Sequence, residues 1–282
     1  MELVAAMTGL NWGIPFYLLG LYGVICYFIR PSKDQKSGTI SWSPLETVGV
    51  TMAIYFVSQI IGGSLIYIYP LSRGWSTYQA NAWFDNNVYG QFLLVLAIEG
   101  FAVLLLWLFL RRRQASFKTI GLKSSKWLRN VGYILLGYAA YFALYFALLA
   151  VAQQLIHINA DQQQQLGFQT AHGSQLIFVF ASLVIMPPLA EEILVRGFLY
   201  SGLKKGLPTI WAVLITSALF GMAHLEPGSD APLLWVAAID TFTLSLVLIY
   251  LREKTGSLHA PIGLHMLKNG VAFLSLFVFH VL

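Results

Sequence analysis

Residues 187–196 read Pro-Pro-Leu-Ala-Glu-Glu-Ile-Leu-Val-Arg. They lie inside an apolar run from Leu176 to Tyr200, which is long enough to cross a lipid bilayer. Charged side chains are costly at membrane depth, and there they usually mark a functional site. The two adjacent carboxylates and the arginine therefore indicate that this stretch carries the chemistry of the protein.

The composition places the chain in a membrane. Of its 282 residues, 57% are hydrophobic and only 10% are charged, whereas soluble domains carry about 25% charged residues. The single cysteine, Cys26, excludes a disulfide framework and a cysteine-based zinc site. Basic cytoplasmic loops explain the net charge of +5, so we expect no nucleic-acid partner.

Apolar runs of spanning length predict an all-α fold, a polytopic membrane bundle of about eight transmembrane helices. The predicted spans are residues 12–29, 47–69, 91–110, 131–153, 175–200, 208–225, 232–251 and 258–281. No large soluble domain fits between these spans, and the sequence contains no visible internal repeat.

Basic residues alternate between the loops that join these spans. All but three of the 17 lysines and arginines lie in four alternate loops, residues 30–46, 111–130, 201–207 and 252–257. Because basic loops remain in the cytoplasm, this pattern predicts that both termini are extracytoplasmic. The loop at 111–130 also contains aromatic residues. It is compatible with binding to anionic headgroups, and a plain cytoplasmic loop is the alternative.

Helical geometry separates the two glutamates of the fifth span. Residues four apart share a helix face, so we expect Glu192 and Arg196 to form an internal ion pair that limits the cost of burying them. Glu191 is rotated by about 100° from Glu192 and stays available as a general base. Pro187 and Pro188 are expected to break or kink the helix beside a cavity.

Two other spans each present a polar face. Phe220 and His224 are four residues apart at the end of the sixth span, and His265 and Asn269 are four apart in the eighth. A lone histidine in a membrane helix usually forms a packing hydrogen bond. Two histidines, an asparagine and an available glutamate on separate helices instead favour a single functional site.

Three further ionisable residues lie in predicted spans. Glu99 in the third span and Asp240 in the seventh each line a polar cavity or pair with a neighbouring hydroxyl group. Lys268 is adjacent to Asn269 but faces another direction, and we expect it to extend to the membrane interface or to pair with an acid.

Three motifs of this chain resemble those of the CAAX protease and bacteriocin-processing family, also called the Abi family. They are Glu191-Glu192-x-x-x-Arg196, Phe220-x-x-x-His224 and His265-x-x-x-Asn269. Their order matches, and so do the flanking segments Pro-x-x-Glu-Glu, Arg-Gly-Phe-Leu and Gly-Ser-Leu-x-Ala-Pro-Ile. The resemblance extends over residues 115–282, which would form the protease-like core, and residues 1–114 would supply N-terminal transmembrane helices.

The resemblance implies an intramembrane endopeptidase that acts on a membrane-associated or lipidated peptide or protein precursor. In this family's pattern Glu191 would activate water, and His224 would help to bind and polarise it. His265 and Asn269 would donate hydrogen bonds to the oxyanion, which suits their side chains. No cofactor would be required. The supporting residues would be Glu192, Arg196 and Phe220.

A zinc-dependent protease is the alternative mechanism. Glu191, His224 and His265 would then be ligands, with water in the fourth position. The sequence contains no His-Glu-x-x-His pair, and activation of water by glutamate alone accounts better for Asn269. We therefore expect no metal.

Two other classes of function are compatible with the composition. The family also includes bacteriocin-immunity proteins and regulatory scaffolds, although the intact motifs favour an enzyme. A transporter would use intramembrane acids and histidines as a proton relay, but it predicts an internal repeat. We expect the bacterial plasma membrane as the location, and the lipid bilayer and a membrane peptide precursor as partners.

Overall fold

The computed structural model describes residues 39–156, 167–225 and 235–280, and these residues form helices and loops without any strand. The predicted first span, residues 12–29, lies outside the described residues. The helices are α1 (Pro44–Ser72), α2 (Thr77–Asp85), α3 (Val88–Arg112), α4 (Trp127–Ile156), α5 (Gly173–Gly206), α6 (Thr209–Met222), α7 (Trp235–Thr255) and α8 (His259–Phe273), which continues as a wider helical turn over Leu274–Val278. The all-α prediction is confirmed.

Six of the described helices are long and apolar enough to cross a membrane, namely α1, α3, α4, α5, α7 and α8. Helix α6 is apolar but has only 14 residues. Its length is about 21 Å at 1.5 Å per residue, which is shorter than the hydrocarbon core of about 30 Å. These seven helices correspond to the second through eighth predicted spans, and the chain is an integral membrane protein.

Large apolar side chains cover the outside of the bundle. On α4, Leu136, Phe146 and Leu155 are 71%, 62% and 75% exposed. Soluble monomers rarely expose contiguous apolar surface of this kind, whereas lipid tails cover it without cost. The outer face of α4 therefore contacts lipid.

Helix α5 runs without a break past Pro187 and Pro188. Of the break or kink expected there, the break is not present, and two segments with wider turns, Ala181–Ile185 and Glu192–Leu199, flank the prolines. In such segments the backbone N–H bonds to the carbonyl five residues earlier instead of four, and they occur frequently at functional sites. The wider turns accommodate the prolines while the chain remains helical.

The segment just before α1 meets α3 and α5 in an aromatic core. The ring centroid of Phe198 on α5 lies 5.2 Å from those of both Trp42 and Phe109. All three side chains are buried. Offset and edge-on aromatic contacts of this kind stabilise a fold beyond the area that they bury. The core fixes α5 against the helices that precede it in the chain.

Gly202 allows the close approach of α1 and α5. A Cβ atom at this position would overlap Thr47 and would lie 2.8 Å from Nε1 of Trp42. Gly202→Ala should therefore lower the free energy of unfolding by about 1–3 kcal/mol, the usual cost of overpacking, as measured by thermal unfolding in detergent.

Gly100→Ala on α3 is the matched control, because no atom lies within 4 Å of the position that its Cβ would occupy. Alanine stabilises a helix by about 1 kcal/mol relative to glycine, so the control should unfold at the same or a higher temperature. Equal unfolding temperatures for the two variants would contradict the close packing of α1 on α5 at Gly202.

Candidate active site

The carboxylate of Glu192 connects two of the three motifs. Its Oε1 accepts hydrogen bonds from Nη1 of Arg196 at 2.8 Å and from Nδ1 of His265 at 3.0 Å. The side chains of Glu192 and Arg196 are completely buried, and their ion pair is the one expected from the spacing of four residues. A buried carboxylate needs such partners, because an unpaired charge in this environment is strongly destabilising.

The ring of Phe220 connects the remaining motif to this pair. The guanidinium carbon of Arg196 lies 4.1 Å from the centroid of the Phe220 ring, which is a cation–π contact. The same ring contacts the imidazoles of His224, at 4.8 Å between centroids, and His265, at 6.2 Å. Phe220 thus brings α5, α6 and α8 together, a role that the sequence alone did not predict.

The bond to Glu192 determines how His265 is oriented. Because an ionised carboxylate only accepts hydrogen bonds, the imidazole carries a proton on Nδ1. The opposite atom, Nε2, lies 3.9 Å from Oε2 of Glu191. This distance is too long for a direct hydrogen bond, and such separations are commonly bridged by water.

Glu191 differs from its neighbour in exposure and in partners. Its side chain is 25% exposed, while that of Glu192 is completely buried. Oε2 of each glutamate has no hydrogen-bond partner in the described part of the chain, but Glu192 is bonded through its Oε1 to Arg196 and His265. The two adjacent glutamates are therefore in different environments, one fixed in an ion pair through Oε1 and one partly exposed and outside that pair.

His224 lies just after the end of α6. Its Nδ1 is 2.9 Å from the carbonyl oxygen of Phe220. Because a carbonyl oxygen only accepts hydrogen bonds, Nδ1 carries the hydrogen and is the donor. In the neutral ring Nε2 is then an acceptor, which suits a role in binding the hydrogen of a water molecule.

Asn269 is oriented by the backbone of α5. Its Nδ2 donates to the carbonyl oxygen of Leu183 at 2.8 Å. That carbonyl would bond to the N–H of residue 187 in an α-helix or of residue 188 in a wider turn, but both residues are prolines and have no N–H. The Pro187-Pro188 pair thus leaves an acceptor for Asn269, whose amide retains a second N–H group.

Glu99 is an acid that the sequence identified but did not place. It lies on α3, which packs against the Met186–Glu191 part of α5. Its carboxyl group is near enough to Glu191 for their charges to interact. In the sequence, Glu99 is notable as an isolated acid in an apolar span. Residue spacing could not show which helix α3 contacts, so the nearness of Glu99 to Glu191 was not predicted.

Lys268 and Asp240 form a separate cluster. Nζ of Lys268 lies 2.5 Å from Oδ2 of Asp240, and the hydroxyl group of Tyr141 donates to the other oxygen of the same carboxylate. Both expectations for these residues are met, since Asp240 accepts from a hydroxyl and Lys268 pairs with an acid. The cluster connects α4, α7 and α8 without taking part in the site around Glu191.

The three residues of the zinc alternative do not form a recognisable metal-binding group. Within residues 39–156, 167–225 and 235–280, no three His, Cys, Asp or Glu side chains form a group that could hold a metal ion. In both His224 and His265 the Nδ1 atom is already hydrogen-bonded within the protein. Nε2 is the atom of each ring that remains for a ligand.

A comparison with protein families matches the segment that contains all three motifs. The family model described as Type II CAAX prenyl endopeptidase Rce1-like matches residues 173–271. The uncharacterized protein YyaK of Bacillus subtilis (strain 168) is 32% identical over an alignment of 186 positions, which covers 63% of this chain and 58% of that protein. The matched part is therefore less than two thirds of that relative's length. No solved structure matches the chain.

Removing the carboxylate of Glu192 should destabilise the protein by leaving the charge of Arg196 buried without a partner. We expect Glu192→Leu to lower the free energy of unfolding by about 3–5 kcal/mol. The double variant Glu192→Leu/Arg196→Met removes both charges and should regain a large part of this loss. Thermal unfolding of the purified variants in detergent measures both effects.

Glu253→Leu is the matched control, because it breaks the pair with Lys204, in which both side chains are more than one-third exposed. Exposed ion pairs contribute about 0–1 kcal/mol. If Glu192→Leu and Glu253→Leu were equally mild, the buried pair would not hold the three motifs together.

Proposed function

We propose, from the match of residues 173–271 to the Rce1-like family of type II CAAX prenyl endopeptidases, that this integral membrane protein is a glutamate-dependent intramembrane endopeptidase. Its substrate is a membrane-associated or lipidated peptide or protein precursor. The observation that carries the mechanism is the 3.9 Å gap between Nε2 of His265 and the unpartnered oxygen of Glu191. A base that would bind the attacking water and a donor that would bind the oxyanion would then lie side by side.

Glu191 acts as the general base in this proposal. It removes a proton from the water while the oxygen attacks the carbonyl carbon of the scissile peptide bond. It then returns that proton to the nitrogen of the leaving amine, so the step consumes one water and yields a carboxylic acid and an amine. Partial burial of Glu191 favours this role, because it keeps the carboxylate close to the substrate and away from bulk solvent.

His265 and Asn269 stabilise the oxyanion that forms during the attack. Asn269 is held through one N–H by the Leu183 carbonyl, so its second N–H is presented in a fixed orientation. His265 donates from Nε2 when its ring is doubly protonated. Its Nδ1–H is directed to the carboxylate of Glu192. Preorganised donors of this kind typically contribute about 10²–10³-fold to the rate.

His224 holds the other side of the attacking water. With its proton on Nδ1 directed to the Phe220 carbonyl, its Nε2 accepts a hydrogen bond from the water and orients the oxygen lone pair. Phe220 keeps this ring at a fixed distance from His265 through contacts with both imidazoles. Correct placement of the reacting atoms lowers the entropic part of the barrier.

The location of the site in a membrane bundle favours a peptide substrate that is itself associated with the membrane. The site is on helices whose outer surfaces are apolar, so a substrate with an apolar or lipidated segment would be concentrated beside it. The regulatory-scaffold alternative would need the protein to bind a partner without cleaving it. A base, two histidines and an amide on three helices that pack together favour cleavage.

Glu191→Gln should abolish cleavage while the protein remains folded, because glutamine cannot accept the proton of water. Removing a general base typically lowers the rate by about 10²–10⁴-fold. The measurement compares peptides released by membranes that contain the wild-type chain, Glu191→Gln or the control Glu253→Gln, identified by mass spectrometry. Near-normal release by Glu191→Gln would contradict the mechanism, and loss with the control would show a nonspecific effect.

A second test concerns the zinc alternative. If Glu191 and His224 activate water without a metal, the purified protein should keep its activity after treatment with a strong chelator and dialysis. Metal analysis by mass spectrometry should find no stoichiometric zinc in the active sample. Activity that disappears with the chelator and returns with added zinc would establish the metal mechanism in place of the proposed one.

A further inference from the structure

A polar cleft lies where α4 and α8 begin, and it contains none of the residues of the site around Glu191. Its volume is about 480 Å³. The polar residues that line it are Lys118, Lys123, Ser124, Ser125, Asn130 and His259. Two lysines, two hydroxyl groups, an amide and an imidazole are side chains that bind phosphate groups.

The charge of this cleft is not neutralised within the described residues. Lys118 and Lys123 are exposed and form no ion pair there. The acids at this end of the described bundle already have partners, since Glu46 pairs with Arg113 and Glu253 pairs with Lys204. Two unpaired lysines at one cleft favour an anionic ligand.

Asn130 has one buried polar atom in this cleft, Oδ1, that lacks a partner among the described residues. It is only 6% exposed, and its Nδ2 donates to Oγ of Ser125 at 2.7 Å. Its Oδ1 is buried and has no hydrogen-bond partner among the described residues. Buried polar atoms nearly always have a partner, so this oxygen indicates a ligand that also carries a hydrogen-bond donor, such as a hydroxyl group.

Two helix N-termini add to the positive potential. Asn130 lies in the first turn of α4, and His259 is the first residue of α8. The first N–H groups of a helix have no partner within the helix, and together with the helix dipole they favour an anion. These termini act on the same cleft as the two lysines.

The cleft is held in shape by bonds between its two walls. Oγ of Ser257 donates to the carbonyl of Lys123 at 2.8 Å, and the N–H of Leu258 donates to the carbonyl of Gly121 at 3.0 Å. The loop that carries the lysines is thus attached to the start of α8, the helix that also carries His265 and Asn269. A ligand would enter a preformed site.

The depth of the cleft relative to the membrane favours a phospholipid as the molecule that carries the phosphate. The apolar span of α4 begins at Leu128, directly after the loop that lines the cleft, so the cleft lies at the depth of the lipid headgroups. We propose that it binds the phosphate of an anionic phospholipid whose headgroup carries a hydroxyl group. The lysines contact the phosphate, and Asn130 accepts from the hydroxyl.

The test uses the purified full chain in detergent and short-chain phosphatidylglycerol, with binding measured by native mass spectrometry and by thermal shift. Lys118→Ala/Lys123→Ala should weaken binding by about tenfold or more, because each lysine adds to the electrostatic attraction of the anionic lipid. Lys126→Ala/Arg129→Ala is the matched control. It removes the same charge from exposed neighbours that do not line the cleft, and it should change binding by less than about threefold.

Two further ligands distinguish the sources. Short-chain phosphatidylcholine also carries a phosphate, but the lipid has no net charge and its headgroup has no hydroxyl group. It should therefore bind more weakly than phosphatidylglycerol. If the protein bound inorganic phosphate but not phosphatidylglycerol, the ligand of the cleft would be a soluble phosphate, and the lipid proposal would be overturned. Equal losses in the two double variants, or no loss in either, would also overturn it, and circular dichroism of each variant shows that it is folded.

Discussion

The completely buried carboxylate of Glu192 is the group on which the site depends. A single oxygen holds Arg196 on the same helix and His265 on α8. The first contact offsets the cost of a buried charge, and the second sets the proton position of the imidazole and turns Nε2 toward Glu191. Through the Phe220 ring, the same ion pair also positions α6. One buried charge thus defines the relative positions of three helices and leaves the neighbouring glutamate available.

A missing backbone donor provides the second constraint. Pro187 and Pro188 remove the two N–H groups that could bond to the carbonyl of Leu183, and Asn269 supplies the replacement from α8. Wider turns on both sides allow α5 to remain helical at membrane depth. The prolines therefore act through the acceptor that they leave, and the helix does not need to break in order to form a site.

Interactions within one helix could be predicted from the sequence, and those between helices could not. The spacing of Glu192 and Arg196 predicted their ion pair, and apolar length predicted the spans. The hydrogen bond from Asn269 to Leu183, the central contact of Phe220 and the proximity of Glu99 to Glu191 depend on which helices pack together and at what level. A break or a kink was expected at the prolines. The helix does not break there, because its turns widen on both sides, and residue spacing does not show where a turn widens.

The origin of the oxygen in the product tests the role of Glu191 most directly. Membranes that contain the chain are incubated in water enriched in ¹⁸O, and the new C-termini of the released peptides are analysed by mass spectrometry. We expect one ¹⁸O atom in each new carboxyl group, in samples with intact Glu191 and not in those with Glu191→Gln. If the same labelled C-termini appeared with Glu191→Gln, or if none appeared in either sample, the proposal that Glu191 activates the attacking water would be contradicted.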